Sequence, residues 1–187
     1  MIDFFKAPVR LARYWLSLAR QNTQSLFFKS AGLEWKLKSG VAVKIGSLAD
    51  WAMYNDIFVE GEYDRAIRDT LESDPCGNGI LVLDLGANTG FFMLRFADIQ
   101  RNTARANLQT RFLAIEGSRS LWKECISRLE LNSSPCMQCK ILHGLAGQKD
   151  GTGILQERYP HVMNTTAGTH GIGRKTAENI KQVGMGI

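Results

Sequence analysis

The spacing of apolar residues changes several times along this chain, and each change marks an element. From Pro8 to Gln21, Leu11, Trp15 and Leu18 share one face while Arg10, Arg13, Ser17 and Arg20 share another. That is the spacing of an amphipathic helix with proline in its first turn. Leu33 to Leu37 and Val41 to Ile45 alternate apolar with polar residues, and Lys38-Ser39-Gly40 between them suits a hairpin turn. The period turns helical over Ser47 to Phe58, with Trp51, Tyr54 and Phe58 on one face, and a shorter helix is expected over Asp64 to Leu71. Pro75, Gly77, Asn78 and Gly79 form a turn cluster. The run from Ile80 to Asp84 reads as a buried strand. Gly86 and Gly90 bracket a tight loop, and Phe91 to Ile99 reads as an amphipathic helix.

The pattern then repeats. Arg101 to Gln109 is polar and poorly patterned. Arg111 to Glu116 reads as a second buried strand ending in an acid. Ser118 or Ser120 is placed to cap a helix whose apolar side carries Leu121, Trp122, Cys125, Ile126 and Leu129. Asn132-Ser-Ser-Pro135 ends it. Cys139 to Leu145 is a third strand, Lys149 to Gly153 a turn, and Ile154 to Gln156 the start of a hairpin. From Asn164 onward Gly, Thr and Lys dominate without a clear apolar period, and Thr176 to Val183 is expected to form a brief helix. The order β-α-β-α-β after Ile80 argues for an α/β fold with a parallel sheet flanked by helices. Right-handed crossovers would bring the Gly86 loop and Glu116 together at the carboxyl ends of neighbouring strands. Residues 1–72 then form a helical and hairpin extension, and residues 73–187 carry the parallel sheet, part of a ligand-binding α/β domain.

Length and charge narrow this only modestly. A chain of 187 residues suits a single core. The net charge is +5 and the pI about 9.1. Much of the excess sits near the N-terminus, where a basic amphipathic helix is suited to peripheral contact with anionic lipid. The plainer reading is a helix packed on the domain with its basic side in water. Basic residues are not interleaved with aromatics in a recognisable nucleic-acid module, so no nucleic-acid partner is expected. Four cysteines are too few for a disulfide scaffold and point to a reducing, cytoplasmic setting. No stretch has the apolar length of a membrane span, and Arg10, Arg13 and Arg20 interrupt any signal-peptide core.

The chemistry is concentrated at the glycine loop. Glycines let a ligand approach backbone N–H groups with no Cβ in the way. A carboxylate ending the next strand, here Glu116, can accept both hydroxyls of a ribose. Gly86-Ala-Asn-Thr-Gly90 lacks the middle glycine of a dinucleotide fingerprint, and no Gly-Lys-Ser/Thr follows as in a P-loop. Asp84 would repel phosphate but suits a cation or an amino group. S-adenosylmethionine answers that description, with its amino acid end, its sulfonium and its ribose.

Asp84-Leu-Gly-Ala-Asn-Thr-Gly-Phe-Phe92 resembles the first motif of class I S-adenosylmethionine-dependent methyltransferases, and the FkbM family in particular. Phe112-Leu-Ala-Ile-Glu116 is similar to that family's second strand, and Leu129-Glu-Leu-Asn132 to the end of its following helix. His143-Gly-Leu-Ala-Gly147 with Asp150-Gly151 resembles its third strand and turn. Glu60-Gly-Glu-Tyr63 resembles the element that precedes the loop. The resemblance spans Asn55 to Leu155. It implies a Rossmann-like sheet with Asp84, Gly86, Ala87, Asn88 and Gly90 lining the methionine end of the cofactor. Glu116 would hold the ribose, and Gly117, Ser118 and Leu145 would border the adenine. Phe91 and Phe92 would either wall the site or lie buried in the helix.

The same resemblance implies further strands, one of them bearing Lys-Ile-Asp-x-Glu-Gly, which is not found before Ile187. The expectation is therefore a sheet incomplete at its C-terminal end, as in a truncated product or degenerate copy. Two functions follow. One is O-methylation of a small molecule or saccharide. The other is a non-catalytic remnant or interaction module that keeps half the fold. No catalytic residue is assigned. His143 is the nearest of the three histidines to the third strand's end, and a structural role suits it better. Cys136, Cys139 and His143 fall short of a four-ligand zinc pattern, so no metal is expected.

Overall fold

The structure, a computed structural model, describes residues 19, 22–23, 26–28, 30–74, 77–147, 152–156, 165–167 and 178–181. The helix expected over Pro8 to Gln21 lies outside them except for Ala19, and so do His161 and His170.

The N-terminal alternation forms a hairpin. β1 (Leu33–Lys36) pairs antiparallel with β2 (Ala42–Ile45), with Trp35 opposite Val43. The turn closes through the Leu37 N–H, which donates to the Val41 carbonyl at 2.8 Å, and Gly40 supplies its φ of +81°. Val41, Val43 and Ile45 are buried in the same core cluster as Phe91, Leu94 and Phe112. Helix α1 (Leu48–Tyr54) follows, with Ser47 capping the Asp50 N–H at 3.0 Å. The helix widens into a π-helical stretch over Asn55–Val59 instead of continuing regularly to Phe58. Tyr54 and Phe58 stack at 5.0 Å, as their spacing predicts. Helix α2 (Asp64–Glu72) lies next, and its Asp64 takes both Nε and Nη2 of Arg95, at 2.7 and 2.6 Å.

The central unit is β3 (Ile80–Leu85), α3 (Phe91–Arg101), β4 (Thr110–Glu116), α4 (Arg119–Glu130) and β5 (Met137–His143). The three strands are parallel in the order β3-β4-β5, with Asp84 opposite Ala114 and Glu116 opposite His143. This is α/β architecture compatible with part of a Rossmann-like fold. Both crossovers step in the same direction, so right-handed connections put α3 and α4 on one face. That face carries the buried Ile80, Phe112 and Ala114, and α3 presents Phe91, Met93, Leu94 and Phe96 to the core.

β3 differs from the buried strand its apolar run predicts. Leu81, Leu83 and Leu85 are 67, 48 and 55% exposed. They lie on the face opposite α3 and α4, and β3 pairs only with β4 among the described residues. Hydropathy reports that a residue can be buried, not that a partner layer is present. A second correction falls on Thr176 to Val183. Glu178–Lys181 is strand β8, which pairs antiparallel with β6 (Thr152–Gln156), and β6 also pairs with β7 (Thr165–Ala167). The hairpin expected from Ile154 is thus part of a three-stranded sheet.

Candidate functional site

Strand β3 ends one residue past Asp84, and the chain turns at once. The N–H groups of Gly86 and Ala87 both donate to the Ile115 carbonyl, at 2.8 and 3.0 Å, which folds the loop back over the end of β4. Gly86 and Gly90 have φ of +92° and +88°, where side chains are strained. A Cβ on Gly90 would also lie 3.0 Å from the Cys125 sulfur. Asn88 is left-handed as well, at φ +50°, a region uncommon for any residue with a side chain and one that asparagine enters more readily than most. Something must hold it there.

In front of the loop that something is Glu116. Its Oε2 accepts the Asn88 N–H at 2.7 Å, and its Oε1 accepts the Ser118 N–H at 2.8 Å. The carboxylate is buried. Two charge-assisted bonds fix its plane, and each oxygen keeps a second lone pair for a ligand hydroxyl. Glu116 closes one wall of a cavity of about 260 Å³. The loop contributes Gly86 and Asn88 to that cavity, and the end of β4 contributes Ile115 and Gly117. Leu121, Leu145 and Leu155 make its apolar side. A Cβ on Gly117 would lie 2.6 Å from Leu145 Cδ2, so any side chain there pushes the end of Leu145 aside.

Asp84 stands below the loop, away from the cavity wall. Its Oδ2 is buried with no hydrogen-bond partner. Burial first, and the charge of Glu116 second, raise its pKa to about 6. Burial also pushes the Cys125 thiol up to about 12, with Asp84 adding to the effect, and the Cys139 thiol to about 11. Both thiols stay protonated at neutral pH and behave as small apolar groups.

His143 ends β5 with Nε2 3.1 Å from the Gly117 carbonyl, and Trp122 packs on its ring at 5.5 Å. A carbonyl only accepts, so Nε2 carries the proton and donates. The histidine steadies Gly117 and does not line the cavity. Among the described residues no group of three or more His, Cys, Asp or Glu side chains is arranged to hold a metal. No helix among them is long and apolar enough to cross a membrane.

Of the residues expected at the site, Gly86, Asn88, Glu116, Gly117 and Leu145 share the cavity wall. Asp84, Ala87, Gly90 and Ser118 do not. Ala87, within the loop, is buried, and Ser118 caps α4 by accepting the Leu121 N–H at 3.4 Å. Phe91 is wholly buried, and Phe92 packs on Tyr63 at 5.2 Å.

Three residues behind the loop escape sequence reasoning. Arg128 and Asp50 are each 3% exposed, and Thr89 is buried with them. Arg128 Nη2 meets Asp50 Oδ2 at 2.8 Å and Glu124 Oε1 at 2.6 Å, and its Nη1 donates to the Thr89 carbonyl at 3.3 Å. Thr89 Oγ1 donates to Asp50 Oδ1 at 3.3 Å, and the Gly46 N–H donates to Asp50 Oδ2 at 2.9 Å. The guanidinium lies 4.5 Å over the Phe91 ring. One signal was visible: Arg128 falls between Cys125 and Leu129 on the apolar side of α4, where a charge needs a partner. Its partner, 78 positions earlier at Asp50, has no local signature.

Compared with protein-family models, curated proteins and solved structures, the chain matches none.

Proposed function

We propose that this chain binds S-adenosylmethionine in the cavity between the glycine loop and Glu116. In this reading it is a methyltransferase of FkbM type, acting on an oxygen of a small molecule or saccharide in a reducing, cytoplasmic setting. The supporting observation is the pinned Glu116 carboxylate at the cavity wall, in register with the glycine loop at the carboxyl ends of parallel strands. The residues fit such a ligand. Glu116 has lone pairs left for the ribose hydroxyls. Leu121, Leu145 and Leu155 offer apolar contact to a base. Asp84 lies off the cavity wall, and its buried carboxyl beneath the loop would act only through its charge, on the ammonium of the ligand's amino acid end. A cavity of about 260 Å³ lies just under the usual drug-sized range, so it suits the nucleoside part of the ligand.

When bound, the cofactor supplies an activated methyl group. The chain's own part is to hold and orient it and to keep water from the apolar side. Glu116 is the one titratable group on the cavity wall among the described residues, and amides occupy both its oxygens. That observation favours a second reading, a cofactor-binding module without its own general base. Calorimetric titration with S-adenosylhomocysteine tests both. Binding together with methyl transfer to an added acceptor supports the enzyme, and binding without turnover supports the module. No heat of binding and no rise in melting temperature would sink both.

A further inference from the structure

The left-handed Asn88 is held from two sides, and the side facing away from the cavity is built from distant parts of the chain. Thr89, the next residue, is anchored through its hydroxyl by Asp50 and through its carbonyl by Arg128. Two residues on, Phe91 lies under the Arg128 guanidinium. Asp50 is itself set by the Gly46 and Ser47 ends of the hairpin and α1. A buried ion pair has little slack, because each partner removed leaves a charge in a dry place. Strained backbone persists only where its surroundings over-determine it.

We infer that Asp50 and Arg128 are positioning residues for the glycine loop. From behind, they set the orientation in which the Asn88 N–H meets Glu116 and the loop rim meets the ligand. The N-terminal segment thereby becomes part of the binding apparatus without touching the cavity. The inference rests on the loop being the ligand-facing edge of that cavity, as proposed above.

The test compares Asp50→Asn with Asn132→Ala. Asn132 ties the same hairpin to α4, accepting the Ala42 N–H at 2.7 Å and donating to the Ala42 carbonyl at 3.0 Å and to the Arg128 backbone carbonyl at 2.8 Å, but it makes no hydrogen bond to the loop or to the Arg128 guanidinium. Hydrogen exchange of the Asn88 amide, read by NMR without ligand, should speed up at least tenfold in Asp50→Asn. It should stay near wild type in Asn132→Ala under conditions where the two are equally stable. Affinity for S-adenosylhomocysteine should fall about tenfold in Asp50→Asn alone. Equal exchange in the two variants overturns the inference and leaves the pair a purely structural bond. If wild type binds no S-adenosylhomocysteine but the Asn88 amide still responds to Asp50→Asn, the positioning role stands and the cofactor reading falls. Should Asp50→Asn not fold, Arg128→Lys keeps the charge without the fork that reaches Thr89 and Asp50 together, and it carries the same two expectations.

Discussion

The two sides of the glycine loop are held by opposite physics. In front, backbone amides of Asn88 and Ser118 converge on one carboxylate beside a cavity. Behind, a guanidinium and a carboxylate are sealed between α1, α4 and the loop. The front leaves acceptor capacity unspent, which is what a binding surface needs. The back has every Asp50 oxygen engaged, which is what a fixed support needs. Asp50 and Arg128 sit in the core as a pair, with the Arg128 Nε left without a hydrogen-bond partner, while Asp84 has an unpaired buried oxygen and no counter-charge. The difference separates a buried charge that has a counter-charge from a buried carboxyl that has none.

The largest effect should come from breaking the back. Arg128→Met leaves the Asp50 carboxylate buried without its counter-charge, and the expected loss is about 3–5 kcal/mol in urea unfolding. A loss below about 1 kcal/mol would mean that water reaches the pair. Glu116→Ala attacks the front. Two charge-assisted bonds disappear, lowering stability by about 2–3 kcal/mol, and affinity for S-adenosylhomocysteine should drop more than tenfold. Retained affinity would remove Glu116 from the ligand site.

Asp84→Asn goes the other way. The folded pKa of about 6 lies above the ordinary 3.8, so the native state holds its proton longer than the unfolded chain does. Wild-type stability therefore falls as pH rises between about 4 and 6, and the cost is complete above that. A two-unit shift sets a ceiling near 3 kcal/mol, and partial exposure brings the expected gain from Asp84→Asn at pH 7.5 to about 2 kcal/mol. At pH 4 the gain should nearly vanish. A gain that does not change with pH would rule out the charge as its source. The smallest change in stability is expected of Gly117→Ala. Its new methyl meets the end of Leu145, a side chain able to move, so stability should change by less than about 1 kcal/mol. The cavity narrows, and affinity should weaken severalfold. Equal affinity would place the ligand elsewhere.

Much of the scaffold was readable because it rests on local rules. Alternation with a Lys38-Ser39-Gly40 turn gave the hairpin. Ser118 capped its helix as its position predicts. Two apolar runs, each ending near an acid and separated by one helix, became adjacent parallel strands. The meeting of the Gly86 loop with Glu116 followed from crossover handedness, which is a chain-level rule. The π-helical stretch at Asn55–Val59 had no such signature, since helical periodicity alone does not separate it from a regular turn.

What the sequence by itself determined is therefore the kind of site: a bare glycine loop beside an acidic strand end, because turn chemistry and periodicity are written in neighbouring residues. Tertiary structure alone decided three further things. It left Leu81, Leu83 and Leu85 facing outward, since burial depends on which layer lies opposite and not on the strand's own hydropathy. It turned His143 to the Gly117 carbonyl and away from the cavity. And it brought Asp50 to Arg128 behind the loop. An ion pair between residues so far apart in the chain is chosen by how the helices pack, which no local pattern encodes.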